Sequence, residues 1–240
     1  MLPAMEIKAV RTSLYREGED LAEFVAAHVK KLPERAVLAV TSKIVALGER
    51  RTAPFGDEAS KARLIRSESE WLTRTKYVWL TLSGGLLTAN AGVDESNADG
   101  KLILLPKDSF AAAAKLRRAL MKKHGVKKLG VVITDSRTTP LRAGTTGVAL
   151  GYAGFKGLKD YRGTKDLFGR AFHFSKVSVA DSLASAAALA MGEGAERQPL
   201  ALITDAPVEF TERVKKGELV IPPEDDMYGP FLAPLLPKHR

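Results

Sequence analysis

Three short acidic segments of this 240-residue chain hold the residue types that could do chemistry. The first is Asn90-Ala91-Gly92-Val93-Asp94-Glu95-Ser96-Asn97, where two carboxylates, a hydroxyl and two amides crowd into one glycine-containing stretch. Such a loop can aim several oxygens at one cation. The same composition also makes a plain turn. The second is Thr134-Asp135-Ser136, directly after the apolar run that starts at Leu129. An aspartate leaving a buried strand sits where α/β folds gather their ligands; a helix cap or an Asx-turn would use the same residues. The third is Met191-Gly192-Glu193-Gly194, a lone glutamate between glycines after an alanine-rich stretch. Glycines let backbone approach a phosphate or an ion closely, or they simply end the helix.

Composition narrows the chemistry. Cysteine is absent, which excludes disulfides, thiolate metal sites and cysteine nucleophiles. A metal would be held by oxygen, with His28, His124, His173 and His239 as the available imidazoles. Oxygen ligands favour magnesium, manganese or calcium over zinc. The four histidines are too scattered to argue a Ser-His-Asp arrangement. The glycine-rich run from Gly144 to Gly169 is neither a Walker A loop nor a Rossmann fingerprint.

The net charge of +9 suits anionic small-molecule partners, or is merely a solvated basic surface. The basic residues come as scattered doublets without interleaved aromatics, so nucleic acid is not the expected partner. No apolar run approaches the roughly 18 residues of a membrane span. The start lacks the pattern of a signal peptide, so a cytoplasmic protein with no membrane partner is expected.

The elements that must position these acids can be read from periodicity. Strands are expected at Ile7 to Val10, Ala36 to Val40, Val78 to Leu82, Leu86 to Ala89, Leu102 to Leu105, Leu129 to Thr134, Ala171 to Val179 and Leu200 to Thr204. Helices are expected from Gly18 with Glu19 and Asp20 in the first turn, from Asp57 to about Arg74, from an Asp108 or Ser109 cap to about Lys123, and over Asp181 to Met191. Strands and helices alternate irregularly. That pattern predicts an α/β (mixed α+β) protein, an irregular mixed sheet with flanking helices. Residues 1–207 are expected to form one domain, divisible into two subdomains at an unassigned boundary, and 208–240 an extended proline-rich tail.

Taken in order, the segments resemble the coenzyme F-420 γ-glutamyl ligase family. The resemblance runs through Glu17 to Ala22, Thr41-Ser42-Lys43-Ile44-Val45, Asn90 to Asn97, Leu104-Leu105-Pro106, Thr134-Asp135, Arg142, Gly144 and Gly147 to Gly151. It continues through Asp160 to Arg170 and Val179-Ala180-Asp181, and closes with Met191-Gly192-Glu193-Gly194. It implies a γ-glutamyl-ligase-like fold, an intertwined homodimer, and a GTP-dependent reaction that joins L-glutamate to a deazaflavin phospholactate through an acyl phosphate. It also implies two Mg2+ or Mn2+ ions and a K+ ion. By the same resemblance, Asp94, Asp135, Ser136 and Glu193 hold metal. Asp94, Asp135 and Glu193 act in catalysis. Ser42, Lys43, Asn97, Met191, Gly192 and Gly194 lie at the nucleotide. The chain departs from the family at Leu47, where a lysine is usual, and at Thr138-Thr139, where Gly-Arg is usual. These departures keep open a ligase for another carboxylate, and a non-catalytic member.

Overall fold

The computed structural model describes residues 4–232. The first half of the chain forms β1 (Glu6–Val10), α1 (Leu21–His28), β2 (Ala36–Thr41), α2 (Ser42–Gly48), β3 (Thr52–Pro54), α3 (Glu58–Ser67), β4 (Trp71–Arg74), β5 (Trp79–Ser83), β6 (Leu86–Ala89), β7 (Lys101–Ile103) and α4 (Ser109–His124). The second half forms β8 (Leu129–Thr138), β9 (Thr145–Ala153), β10 (Leu158–Asp160), β11 (Lys176–Ser178), α5 (Val179–Met191), β12 (Leu200–Thr204) and α6 (Gly229–Leu232). The expected mixed α/β class is what is found. The described residues fall into two compact units, 4–50 with 106–216, and 51–105 with 217–232.

The first unit is built on a five-stranded sheet in the order β1-β12-β2-β8-β9. Only β2 and β8 run parallel; the other pairs are antiparallel. Apolar residues run without a break through β2 from Ala36 to Val40, and all are buried, as a strand covered on both faces requires. Helices α1 and α4 cover one face, where Phe24, Val25, Leu38, Val40, Leu116, Leu120, Val131 and Ile133 share a core. Helix α5 covers the other with Leu183, Ala184 and Ala187. Burying each Leu or Val here contributes roughly 1.5–3 kcal/mol, so the sheet's middle holds the unit together and its polar ends are spared that task. Asp20, Asp108 and Ser178 cap α1, α4 and α5 by accepting from the N–H groups of Glu23, Ala111 and Asp181.

The second unit combines the antiparallel meander β4-β5-β6 and the β3–β7 pair with α3. Its core is Ile65, Ala91, Val93, Leu102 and Leu104. Gly84 and Gly85 both have positive φ, which is the tight β5–β6 turn expected from the sequence.

Several expectations need correction. The helix expected from Asp57 to Arg74 stops at Ser67, and Trp71–Arg74 becomes β4, because those residues pair with Trp79–Leu82. Asp20 caps α1 from outside its first turn. Strand β8 does not end at Thr134; pairing with β9 carries it to Thr138. The glycine-rich stretch after it contains β9, a nine-residue strand. Of the strand expected over Ala171 to Val179, only Lys176–Ser178 forms, and Val179 opens α5. Of the expected tail, residues 208–216 belong to the first unit, while Pro223–Asp225 and Gly229–Leu232 form short helical turns. Residues 233–240 lie outside those described.

Candidate active site at the end of the parallel strands

Strands β2 and β8 run side by side until Thr41 meets Thr134. There β2 turns directly into α2, while β8 continues for four more residues paired only with β9. Among the described residues, 135–138 therefore have no strand on the side that β2 has left. Carboxyl ends of parallel strands are where open α/β sheets bind ligands. Buried Ser42, the first residue of α2, donates its hydroxyl to Oδ1 of Asp135 at 3.1 Å. Lys43 follows it in the first turn of the same helix.

Strand alternation sends Asp135 and Ser136 to opposite faces of the sheet. Ser136 lies on the α5 side, opposite Gly147. A Cβ at Gly147 would stand 2.3 Å from the carbonyl oxygen of Ala184, so the missing side chain is what lets α5 lie so close. That closeness brings the end of α5 over Ser136, whose hydroxyl donates to Oε1 of Glu193 at 2.6 Å. Gly192 ends α5 at φ +81, a conformation strained for any residue with a Cβ. Met191 is buried, so its side chain packs inward and its backbone is the part near the loop.

The loop after α5 is pinned at its far side. The N–H groups of Thr12 and Thr41 donate to the carbonyls of Arg197 and Pro199, at 2.9 and 3.0 Å. Glu196 folds back so that its Oε2 accepts from the N–H of Gly194 at 2.8 Å. No basic residue stands in the last turn of α5, yet two glutamates follow it. The negative end of a helix dipole with added carboxylates attracts cations.

Asp94 belongs to the second unit. Its backbone exchanges both hydrogen bonds with Ile103, at 2.9 and 2.8 Å. Its two carboxylate oxygens accept from the backbone N–H and the hydroxyl of Ser96, each at 2.8 Å. The turn reading is thus realised at Asp94. Asn90, Ala91 and Asn97 all have positive φ in this loop. Neighbouring Glu95 pairs with Lys61 at 2.9 Å.

Among the described residues, no three His, Asp or Glu side chains gather into a ready-made metal cage. Magnesium rarely uses one. It is held by one or two carboxylates, and substrate phosphates and water complete its shell. Each serine-held carboxylate, Asp135 on one face of β8 and Glu193 on the other, offers a hard cation one oxygen ligand of the kind it prefers.

Arg137 escaped the sequence reading, which ends β8 at Thr134; once the strand reaches Thr138, period-two alternation puts Arg137 on the face of Asp135. Glu196 lies in the loop Met191 to Gln198, which the family resemblance sets near the nucleotide, and its fold-back onto Gly194 leaves no periodic trace in the sequence.

The chain matches the family described as F420-0:Gamma-glutamyl ligase over residues 9–205. It belongs to that family. The ligase is 38% identical to the coenzyme F420:L-glutamate ligase of Methanopyrus kandleri over 82% of this chain and 86% of that protein. It is 40% identical to the Methanocaldococcus jannaschii protein of the same name, over 72% of this chain and 70% of that one. Against the Methanosarcina acetivorans protein of that name the identity is 34%, over 92% of this chain and 93% of the relative. This chain is accordingly an amide-bond-forming ligase. All candidate site residues fall inside the matched region, which ends at Asp205. Among the described residues, no helix is long and apolar enough to cross a membrane.

Proposed function

We propose that this ligase joins L-glutamate to the carboxylate of a phosphorylated deazaflavin precursor in the cytoplasm, with GTP as co-substrate. The observation that carries the reading is the pair of serine-held carboxylates, Asp135 and Glu193, flanking the end of β8 in a chain of this family. In the reaction, a carboxylate oxygen of the acceptor attacks the γ-phosphorus of GTP, and GDP leaves. The amine of glutamate then attacks the acyl carbon, phosphate leaves and a proton is lost. Phosphoryl transfer of this kind depends on charge neutralisation and positioning more than on covalent help.

Asp135, Ser136 and Glu193 would hold Mg2+ or Mn2+, two ions in the reading that the family resemblance implies, and the same resemblance gives Asp94 a metal-holding role. These ions supply charge neutralisation for the phosphates, as the K+ ion that the family resemblance implies would too. Ser42 and Ser136 keep the carboxylates in one rotamer. Lys43, Gly192 and Gly194 would contact the nucleotide, and the family resemblance gives Asn97 a nucleotide role as well. A homodimer belongs to the same reading. It is supported by Leu167, Phe168 and Phe174, which stand 98%, 95% and 92% exposed on the arm between β10 and β11. Water-exposed side chains of that size mark association surfaces.

A second reading, a ligase for another carboxylate, is favoured by Leu47 and by Thr138-Thr139, which bring no charge to the region. Calorimetric titration with MnCl2 and GTP tests the shared part. Binding by the wild type and its loss in Asp135→Ala are expected; a wild type that binds neither ends both readings. Incubation with the deazaflavin precursor, GTP and L-glutamate, followed by mass spectrometry, separates the two. A product heavier by one glutamyl unit supports the first. GTP binding without that product supports the second.

A further inference from the structure

Arg137 stands two residues beyond Asp135 on β8, roughly 7 Å further along the strand, paired across with Thr146. Alternation places it on the same sheet face as Asp135. β2 ends at Thr41, so residues 135–138 have β9 as their strand partner and, among the described residues, no strand on the β2 side. Yet Nε of Arg137 is buried and has no hydrogen-bond partner among the described residues. No carboxylate pairs with it there either.

The other half-buried or buried arginines behave differently. Arg51 reaches Glu68 and the carbonyl of Leu105, and Arg117 reaches Glu212 and the carbonyl of Leu129. A guanidinium is always charged and has five donors. Leaving a buried donor without an acceptor costs free energy, and folded proteins tolerate it chiefly where something else supplies the acceptor. The group that suits a planar fork of donors is a phosphate or a carboxylate.

We propose that Arg137 is an oxyanion-binding residue of this ligase, its guanidinium receiving a phosphate or carboxylate group of a reactant beside Asp135. The identity of that reactant rests on the ligase reading above; the anion site itself does not. Either the triphosphate of the nucleotide or the carboxylates of glutamate supply the required chemistry.

The experiment titrates the full-length wild type, Arg137→Met and Arg137→Lys with magnesium tripolyphosphate and, separately, with L-glutamate, and records thermal unfolding of each. Arg137→Met is expected to weaken one of the two probes at least tenfold, and which one identifies the reactant. Arg137→Lys keeps the charge without the fork and is expected to fall between. The unfolding midpoint of Arg137→Met is expected at or above that of the wild type, because an unbonded buried donor has been removed. Unchanged affinity of Arg137→Met for both probes overturns the proposal. So does a wild type that binds neither, or a lowered midpoint with binding intact, which would mark a structural arginine. If Arg137→Met does not fold, Arg137→Lys decides: equal affinity to the wild type on both probes overturns it. A wild type that binds a probe through Arg137 but makes no glutamyl product refutes the ligase reading alone. Product formation with unaltered binding in Arg137→Met refutes the arginine alone.

Discussion

The two ends of strand β8 each carry an arginine, and they solve opposite problems. At the start of the strand, the carbonyl of Leu129 accepts from Nε of Arg117 at 2.7 Å. Both terminal nitrogens of the same guanidinium lie on the carboxylate of Glu212, with Nη1 at 2.7 Å. Around it, fully buried Phe155 bridges to Phe210, Arg35 lies over the Phe210 ring at 5.0 Å, and Lys216 reaches Asp108 at 2.7 Å. Segment 206–216, beyond the family match, is thereby fastened along β9 and α4. At the far end, Asp135 and Glu193 are steadied by serine hydroxyls, and Nε of Arg137 is buried with no hydrogen-bond partner among the described residues. A guanidinium whose donors are used up is a fastener. One with a donor left over is, as proposed for Arg137, a place for an anion. Substitutions at the fastened end should move stability and spare binding, and those at the open end should do the reverse.

Gly154→Ala gives the largest effect and the hardest test of that division. Gly154 has φ +88, and a Cβ there would lie 2.1 Å from the carbonyl of Leu129 and 2.5 Å from Nε of Arg117. The left-handed backbone alone costs an alanine roughly 1–2 kcal/mol. Disturbing the Arg117 bond brings the expected loss to about 3 kcal/mol, read from urea denaturation. Manganese and GTP titrations on the folded fraction should match the wild type. Weakened binding at undiminished stability would break the comparison outright.

Ser136→Ala probes the opposite end and sharpens the contrast. Its hydroxyl orients Glu193 and does little packing. Loss of an orienting partner to a metal ligand typically weakens metal binding about 10–100-fold. The lower figure is expected here, because the Ser136–Glu193 bond is exposed to solvent; tenfold is about 1.4 kcal/mol. Manganese affinity, measured directly, should fall while the urea midpoint stays put. A fall in the midpoint with manganese affinity retained would make Ser136 a fastener too.

How much of this was legible beforehand follows the same line. The fastened core was legible because apolar runs declare themselves: Ala36 to Val40, Leu129 to Thr134 and Leu200 to Thr204 all became central strands. Of the caps, Asp108 was legible, whereas Asp20 was expected inside its helix and Ser178 inside a strand. The acids Asp135 and Glu193 stood out by type, and they come to lie one on each side of β8. The continuation of β8 past Asp135 was hidden, because Ser-Arg-Thr reads as loop until β9 is there to pair with it. Strand β9 was hidden in turn, because Gly147 and Gly151, which weaken a strand in isolation, are needed where α5 and α4 press against it. The Arg117–Glu212 pair spans 95 residues of sequence, and no local pattern announces so distant a partner. The turn that the residue types around Asp94 allowed does form, while the metal role that the family resemblance gives Asp94 stands as a proposal.

The smallest effect concerns acid. The Arg117 guanidinium, bonded to Glu212, holds that carboxyl below its ordinary range, and Lys216 does the same for Asp108. A carboxyl lowered in the folded state adds stability that is fully present above its unfolded pKa and is lost as pH falls through the folded value. The fastened end should therefore loosen only below the usual carboxylate range, near pH 4 and downward. Glu212 is 74% exposed, and a protonated carboxyl can still accept one hydrogen bond. Solvent screening should then keep the change under about 1 kcal/mol. Urea midpoints of the wild type and Glu212→Gln, followed from pH 7 to pH 3, should converge as the pH drops, since the variant has no charge to lose. Curves that stay parallel to pH 3 would mean that the ion pair contributes nothing to holding segment 206–216 in place, and that the buried stem of Arg117, its bond to Leu129 and the packing of Phe210 do the fastening by themselves.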